Sequence, residues 1–236
     1  HDKVVKLTEQ QQDAVDKVSQ SLHKKTTFLL HGITGSGKTE VYLELIQEVI
    51  NKGRKVLIMV PEITLIAPMA QRLKSRFSNV AIYHSALSSG ERLDQYHMVT
   101  QNRAFIVLST RSGVFLPIKD IGLIIIDEEH DKSYIQNEHV TYEANHPLLC
   151  WLALHKIPLL LGSATPSIVS MYKAQIGEYQ LLKLTKRPFG LAEPEIKLID
   201  MKEELKQKNT SIFSKELLLL INDRLNKKEQ TLILFN

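Results

Sequence analysis

The sequence predicts an α/β fold, a mostly parallel central sheet flanked by helices. Short apolar runs alternate with segments of helical period, the pattern of strands joined by crossover helices. A glycine-rich loop joins the first apolar run to the first long amphipathic segment. A later apolar run, Ile121–Ile126, stops abruptly at the acids Asp127, Glu128 and Glu129, at the carboxyl end where such sheets carry their chemistry.

In chain order, strands are expected at Thr26–Leu30, Lys55–Val60, Val80–Tyr83, Phe105–Ser109, Leu123–Ile126 and Pro158–Gly162. Helices are expected at Glu9–Leu22, behind Thr8 as N-cap, and at Glu40–Lys52, Ile66–Phe77, Glu91–Gln101, Pro147–Leu154 and Ile168–Gln175. Thr165 and Pro166 read as the N-cap and first residue of the last helix. After Lys186-Arg187-Pro188-Phe189-Gly190 the character changes to a proline-containing stretch and a charged run from Lys202 to Lys208. A helix and a strand begin again between Phe213 and Asn236. The expected division is a first domain at 1–195, a linker at 196–212 and the start of a second domain at 213–236. Both ends read as internal to a longer protein, because a bare apolar strand at Thr231–Asn236 leaves an edge unpaired.

With 43% hydrophobic residues among 236, the chain can bury a packed core and lies far from the disordered regime. A formal net charge of +4 suits a nucleic-acid partner without demanding one. The single cysteine, Cys150, excludes an internal disulfide framework and a multi-cysteine zinc site within the sequence. No apolar run approaches membrane-spanning length, and no signal-peptide pattern opens the chain, so a soluble, cytoplasmic protein is expected.

His31-Gly32-Ile33-Thr34-Gly35-Ser36-Gly37-Lys38-Thr39 satisfies G-x-x-x-x-G-K-[ST], with a strand before it and a helix after it. Glycines let backbone N–H groups turn inward around a polyphosphate, and the helix start adds its positive dipole end. Lys38 is expected to neutralise the β- and γ-phosphates and the Thr39 hydroxyl to hold Mg²⁺. The expected nucleotide-binding set is Gly32, Thr34, Gly35, Ser36, Gly37, Lys38, Thr39 and Glu40.

Asp127 is the second expected magnesium ligand, through a water. Glu128, one residue on, points differently and can deprotonate the attacking water, which makes Lys38 and Glu128 the expected catalytic pair. Gly162-Ser163-Ala164-Thr165-Pro166 closes another apolar strand, and its short hydroxyls can bond the acid box and sense the γ-phosphate.

The phosphate loop, the Asp127-Glu128-Glu129-His130 box and Ser163-Ala164-Thr165 together resemble the superfamily 2 helicases, nucleic-acid motors built on paired RecA-like domains. Gly35-Ser-Gly-Lys-Thr-Glu-Val-Tyr-Leu43, Val60-Pro-Glu-Ile63, Asp127-Glu-Glu-His-Asp131 with Ser133-Tyr134, and Leu161-Gly-Ser-Ala-Thr-Pro-Ser167 are similar to the primosomal replication-restart helicases in particular, from about Leu7 to Met201. The resemblance implies a RecA-like P-loop NTPase lobe of an ATP-dependent 3′–5′ DNA helicase that remodels stalled forks and initiates primosome assembly. It implies adenine recognition by Gln11 and coupling of hydrolysis to DNA through His130, Ser163 and Thr165. It implies that Val60–Ile63, His84-Ser85 and Ser109–Ser112 face the DNA backbone, with Thr110, Arg111 and Ser112 suited to its phosphates, and that the aromatic loop from Tyr134 to Tyr142 touches DNA.

Implied cofactors are ATP and Mg²⁺, with Zn²⁺ in another part of the parent protein. Implied partners are single-stranded and forked DNA, primosome proteins and single-strand-binding proteins. The family's second lobe carries the arginine finger, so this chain alone is expected to be weakly active or inactive: without such a finger, rates fall by about 10³ to 10⁵. The chain departs from the family at Ile66-Ala67-Pro68 and at Glu143-Ala144-Asn145-His146, where an arginine is usual. Another superfamily 2 translocase or RNA helicase, or a non-catalytic nucleotide- and DNA-binding module, remains an alternative on these residues.

Overall fold

The computed structural model describes residues 6–136, 142–143, 156–188 and 195–235, leaving aside the side chains of residues 136, 142 and 143. The chain forms two compact units, His1–Leu191 and Ala192–Asn236.

The first unit is built on seven parallel strands. These are β1 (Thr27–Gly32), β2 (Lys55–Met59), β3 (Val80–Tyr83), β4 (Ile106–Ser109), β5 (Ile121–Asp127), β8 (Leu159–Ser163) and β9 (Tyr179–Leu184), in the order β3-β4-β2-β5-β8-β1-β9. A short antiparallel ladder pairs β6 (Ile135–Gln136) with β7 (Tyr142–Glu143). Strands covered on both faces are apolar throughout, as β5 illustrates: Leu123 and Ile125 enter one core layer, Ile124 and Ile126 the other. Helices α1 (Glu9–Ser19), α2 (Lys38–Asn51) and α3 (Ile66–Arg76) pack on the first face. Helices α4 (Ser89–Thr100) and α5 (Ile168–Gln175) contribute Val99 and Met171 to the second. Each fully buried aliphatic side chain stabilises the unit by roughly 1.5–3 kcal/mol relative to exposure.

Register sets what this sheet can do. Asp127 pairs across to Gly162, and His31 pairs across to Ser163. The carboxyl ends of β5, β8 and β1 therefore stop at one level, side by side.

Most expected elements are present, and the differences have local causes. Strand β9 was not anticipated: it lies beside β1 with only Leu182 and Leu184 buried, and its polar alternation lacks the apolar run of a central strand. Ser167, not Thr165, caps α5, its hydroxyl accepting from Ser170 N at 3.2 Å, while the Thr165 hydroxyl lies against His130 Nε2 at 3.3 Å. The helix expected at 147–154, and Cys150 with it, lie outside the described residues.

In the second unit, α6 (Met201–Lys206) is capped by Asp200 and α7 (Lys215–Asn226) by Ser214. Part of the stretch expected as linker is therefore helical. No strand forms over residues 231–235, where Leu232 and Leu234 are almost fully exposed and no ladder partner is present among the described residues.

Gly162 is required by close approach. A Cβ there would run into the hydroxyl of Tyr42, and the ring carbon bearing it would be only 2.9 Å away. Tyr42, 1% exposed on α2, has no room to withdraw. Gly162→Ala should destabilise the unit by about 1–3 kcal/mol in denaturant unfolding. Adding Tyr42→Phe should recover part of that loss; costs that simply add would contradict the packing described.

Candidate functional site

Three loops converge where β1, β5 and β8 end. The first runs from β1 into α2. Gly35 and Gly37 hold φ of +79° and +83°, and Gly37 caps α2 without any side-chain bond. Only glycine fits at Gly37, because a Cβ there would also collide with the Gln11 amide. The loop is braced by Ser36 N donating to Ile33 O at 2.9 Å, by Ile33 N donating to Leu184 O at 3.2 Å, and by Arg187 Nε donating to Thr34 O at 3.1 Å. Lys38 Nζ donates to Gly32 O at 3.1 Å and lies 3.7 Å from Glu128 Oε1. Glu40 pairs with Arg72 at 2.9 Å. The Ser36 hydroxyl is buried with no hydrogen-bond partner.

Gln11 sits beneath the loop, 2% exposed. Its Nε2 donates to Ser36 O and its Oε1 accepts from Thr8 N, both at 2.8 Å, while the Thr8 hydroxyl accepts from Gln11 N in a reciprocal capping box. Both ends of the amide expected to read adenine are thus engaged with protein.

The second loop is the acid box. Tyr42 donates to Asp127 Oδ1 at 2.8 Å, and the Tyr134 hydroxyl lies 2.7 Å from Asp127 O and 3.1 Å from Met59 O. Burial raises the Asp127 carboxyl above its ordinary range, against the Tyr42 hydrogen bond and with the neighbouring Glu128 charge adding to the rise. Burial likewise pushes the Tyr42 phenol well up, so it stays a donor. Glu128 adopts φ +47°, a left-handed conformation that costs a non-glycine residue about 1–3 kcal/mol. Its carboxylate sits between Lys38 and His130, 3.6 Å from His130 Nδ1. The third loop meets it there: His130 Nδ1 is 2.7 Å from Ser163 Oγ, and Nε2 is 3.3 Å from Thr165 Oγ1.

The fold thus brings the phosphate loop, Asp127, Glu128, His130, Ser163 and Thr165 to one cleft edge. The residues expected at DNA are disposed otherwise. Tyr134 is 2% exposed and braces the acid box from behind, so its ring cannot stack on a base; this corrects the expectation. The side chain of Tyr142 lies outside the described residues. Thr110 is buried, the Ser112 hydroxyl and His84 Nδ1 are buried without hydrogen-bond partners, and Arg111 donates to the carbonyls of Ser133 and Ile135.

Tyr42 was missed as part of the site. The available signal was its helical register, three residues after Thr39 and four after Lys38, together with the glycine at the end of β8. Arg187 was missed because the contact spans 153 residues of sequence.

A cleft of about 650 Å³ is lined by residues 33–40 together with Gln11, Arg72, Asp127 and Glu128. It fits a nucleoside triphosphate with magnesium: amides at a helix start, one lysine, an unpartnered Ser36 hydroxyl, and the hard oxygens of Thr39 and Asp127. Among the described residues there is no cluster of three or more His, Cys, Asp or Glu suited to another metal, and no helix long and apolar enough to cross a membrane.

The raised Asp127 pKa makes a stability prediction. The folded state holds this proton more tightly than the unfolded chain, whose aspartates titrate near ~3.9. Ionisation therefore removes stability as pH rises from about 4 through the folded value. Without nucleotide or metal, Asp127→Asn should melt higher than the parent chain at pH 7, and the gap should close toward pH 4. A lower melting temperature for the variant at pH 7 would exclude this account of the buried carboxylate.

The family described as type III restriction enzyme, res subunit, matches residues 4–168. The replication restart protein PriA of Bacillus subtilis is 42% identical over 235 residues, covering 98% of this chain and 29% of that protein. PriA of Synechocystis is 41% identical over 214 residues, covering 88% of this chain and 26% of that protein. The chain thus spans under a third of the length of these relatives. The structure of RecG bound to a three-way DNA junction superimposes with a TM-score of 0.59 at 24% identity, over 80% of this chain and 25% of that one, which shows the RecA-like fold. The chain therefore belongs to the family described as type III restriction enzyme, res subunit, and is similar to a part of the replication restart proteins PriA.

Proposed function

We propose that this chain is the ATP-binding motor lobe of an ATP-dependent DNA helicase that moves 3′ to 5′, remodels stalled forks and initiates primosome assembly. The observation that carries the reading is the register that sets Lys38, Asp127–Glu128 and the His130–Ser163–Thr165 contacts at one cleft edge.

In this scheme Lys38 and the loop amides hold the β- and γ-phosphates, with Thr39 and Asp127 as magnesium ligands. Bound Mg²⁺ supplies charge neutralisation at the phosphate oxygens. Water attacks the γ-phosphorus, the bond to the bridging oxygen breaks to give ADP and phosphate, and Glu128 accepts the water proton. Lys38 and Glu128 lie 3.7 Å apart, so nucleotide entry exchanges that pairing for phosphate contacts. Gln11 would exchange Thr8 N and Ser36 O for the adenine edge, and His130, Ser163 and Thr165 would report hydrolysis to the DNA face.

Single-stranded and forked DNA are the proposed substrates, contacted through the region of Thr110, Arg111 and Ser112. Primosome and single-strand-binding proteins are proposed partners of the whole protein, cytoplasm its place, and a zinc module and arginine finger features of its other parts. The lobe itself is proposed to span 1–195, with 196–212 as linker and 213–236 opening a second lobe.

ATP hydrolysis should be measured for this chain and for a protein extended through a second lobe, with and without single-stranded, forked or RNA cofactor. The expected result is a DNA-stimulated rate in the extended protein, falling by roughly 10²-fold or more in Lys38→Ala and Glu128→Gln. Equal rates with and without DNA would sink the helicase reading, and stronger stimulation by RNA would favour an RNA motor.

A further inference from the structure

Glu129 has no part in the scheme above, yet it is the most firmly fastened carboxylate of the acid box. It is 7% exposed. Its oxygens accept from Ser167 N at 2.7 Å, Ser170 Oγ at 2.8 Å and Ser167 Oγ at 3.2 Å. Its backbone N–H donates to Gly162 O at 3.0 Å. Side chain and backbone together grip both sides of the turn that joins β8 to α5. A buried carboxylate is tolerated because three donors and the start of α5 compensate its charge.

On the other side of Glu128, Asp127 is held by the hydroxyls of Tyr42 and Tyr134. Glu128 is therefore clamped between two anchored neighbours, in a left-handed conformation that a glutamate does not keep by itself. Such a conformation persists only where the flanks over-determine it.

We propose that Glu129 is a positioning residue for hydrolysis: its grip on Ser167 and Ser170 keeps the Glu128 turn left-handed and so aims the Glu128 carboxylate at the attacking water. This rests on the hydrolysis reading given above. The aim of Glu128 then follows the start of α5, only a few residues beyond Ser163 and Thr165. Glu129 itself does not line the phosphate-loop cleft, whereas Asp127 and Glu128 do.

A merely structural role and a positioning role differ in what they move. Glu129→Gln keeps the shape and one acceptor oxygen while weakening the grip. In the full-length protein carrying this sequence, it should lower kcat by about 10- to 100-fold. ATP KM, and the affinity for a fluorescent ATP analogue measured without turnover, should stay within about twofold, since both report ground-state binding. In a Glu128→Gln background, Glu129→Gln should have no further effect in single-turnover assays, because no carboxylate is left to aim.

An unchanged kcat in Glu129→Gln, or an equal extra loss on top of Glu128→Gln, would overturn the proposal. Should Glu129→Gln fail to fold by circular dichroism, Ser170→Ala removes one donor and carries the same expectation at smaller amplitude. Its failure to lower kcat would count equally against the idea. Absence of hydrolysis by the parent protein would instead sink the proposed function, which keeps the two failures apart.

Discussion

Everything at the cleft depends on the register of three neighbouring parallel strands. Pairing Asp127 with Gly162 and Ser163 with His31 brings three chain segments, far apart in sequence, to a common level. In a parallel ladder the side-chain period is two, so a slip of one residue in β8 would send each of its side chains into the opposite core layer. Such a slip would also move Ser163 away from His130. The apolar residues on both faces of β5, β8 and β1 forbid it, because every one of them is buried. Core packing and site geometry are therefore one constraint.

Within that frame, two tyrosines do for Asp127 what solvent does for an exposed carboxylate. Tyr42 satisfies a side-chain oxygen and Tyr134 the main-chain carbonyl, so the residue is desolvated without being left unpaired. Tyr42 also lies against the one β8 position that lacks a side chain. A single phenol thus touches the helix that follows the phosphate loop, the acid box and the strand before Ser163. The three motifs are mechanically contiguous as well as adjacent.

Much of this was legible beforehand, and for identifiable reasons. The phosphate loop declares itself because glycine spacing, a lysine and a hydroxyl are all demanded by one anion. Strand β5 declares itself because burial on both faces leaves no room for polar residues. Strand β9 was illegible because it is half-exposed and its identity comes only from lying beside β1. The cap of α5 was misplaced by two residues, since Thr165 and Ser167 are chemically equal candidates and only the engagement of the Thr165 hydroxyl with His130 separates them. Tyr134 was misread because an aromatic residue after an acid box has the same local signature whether it faces solvent or core. Its 2% exposure is a product of tertiary packing against Met59 and Asp127, which no window of neighbouring residues encodes.

The self-pairing of the cleft has a thermodynamic corollary. Lys38 rests on Gly32 O near Glu128, Gln11 on Ser36 O and Thr8 N, and Arg72 on Glu40. An incoming polyanion meets groups that already have partners, so its capture is a swap whose net gain is a difference between two sets of contacts. The same groups can close back on one another when the occupant departs, sparing the emptied site a set of stranded charges. A pocket of this kind gives up tightness of holding in return for ease of letting go.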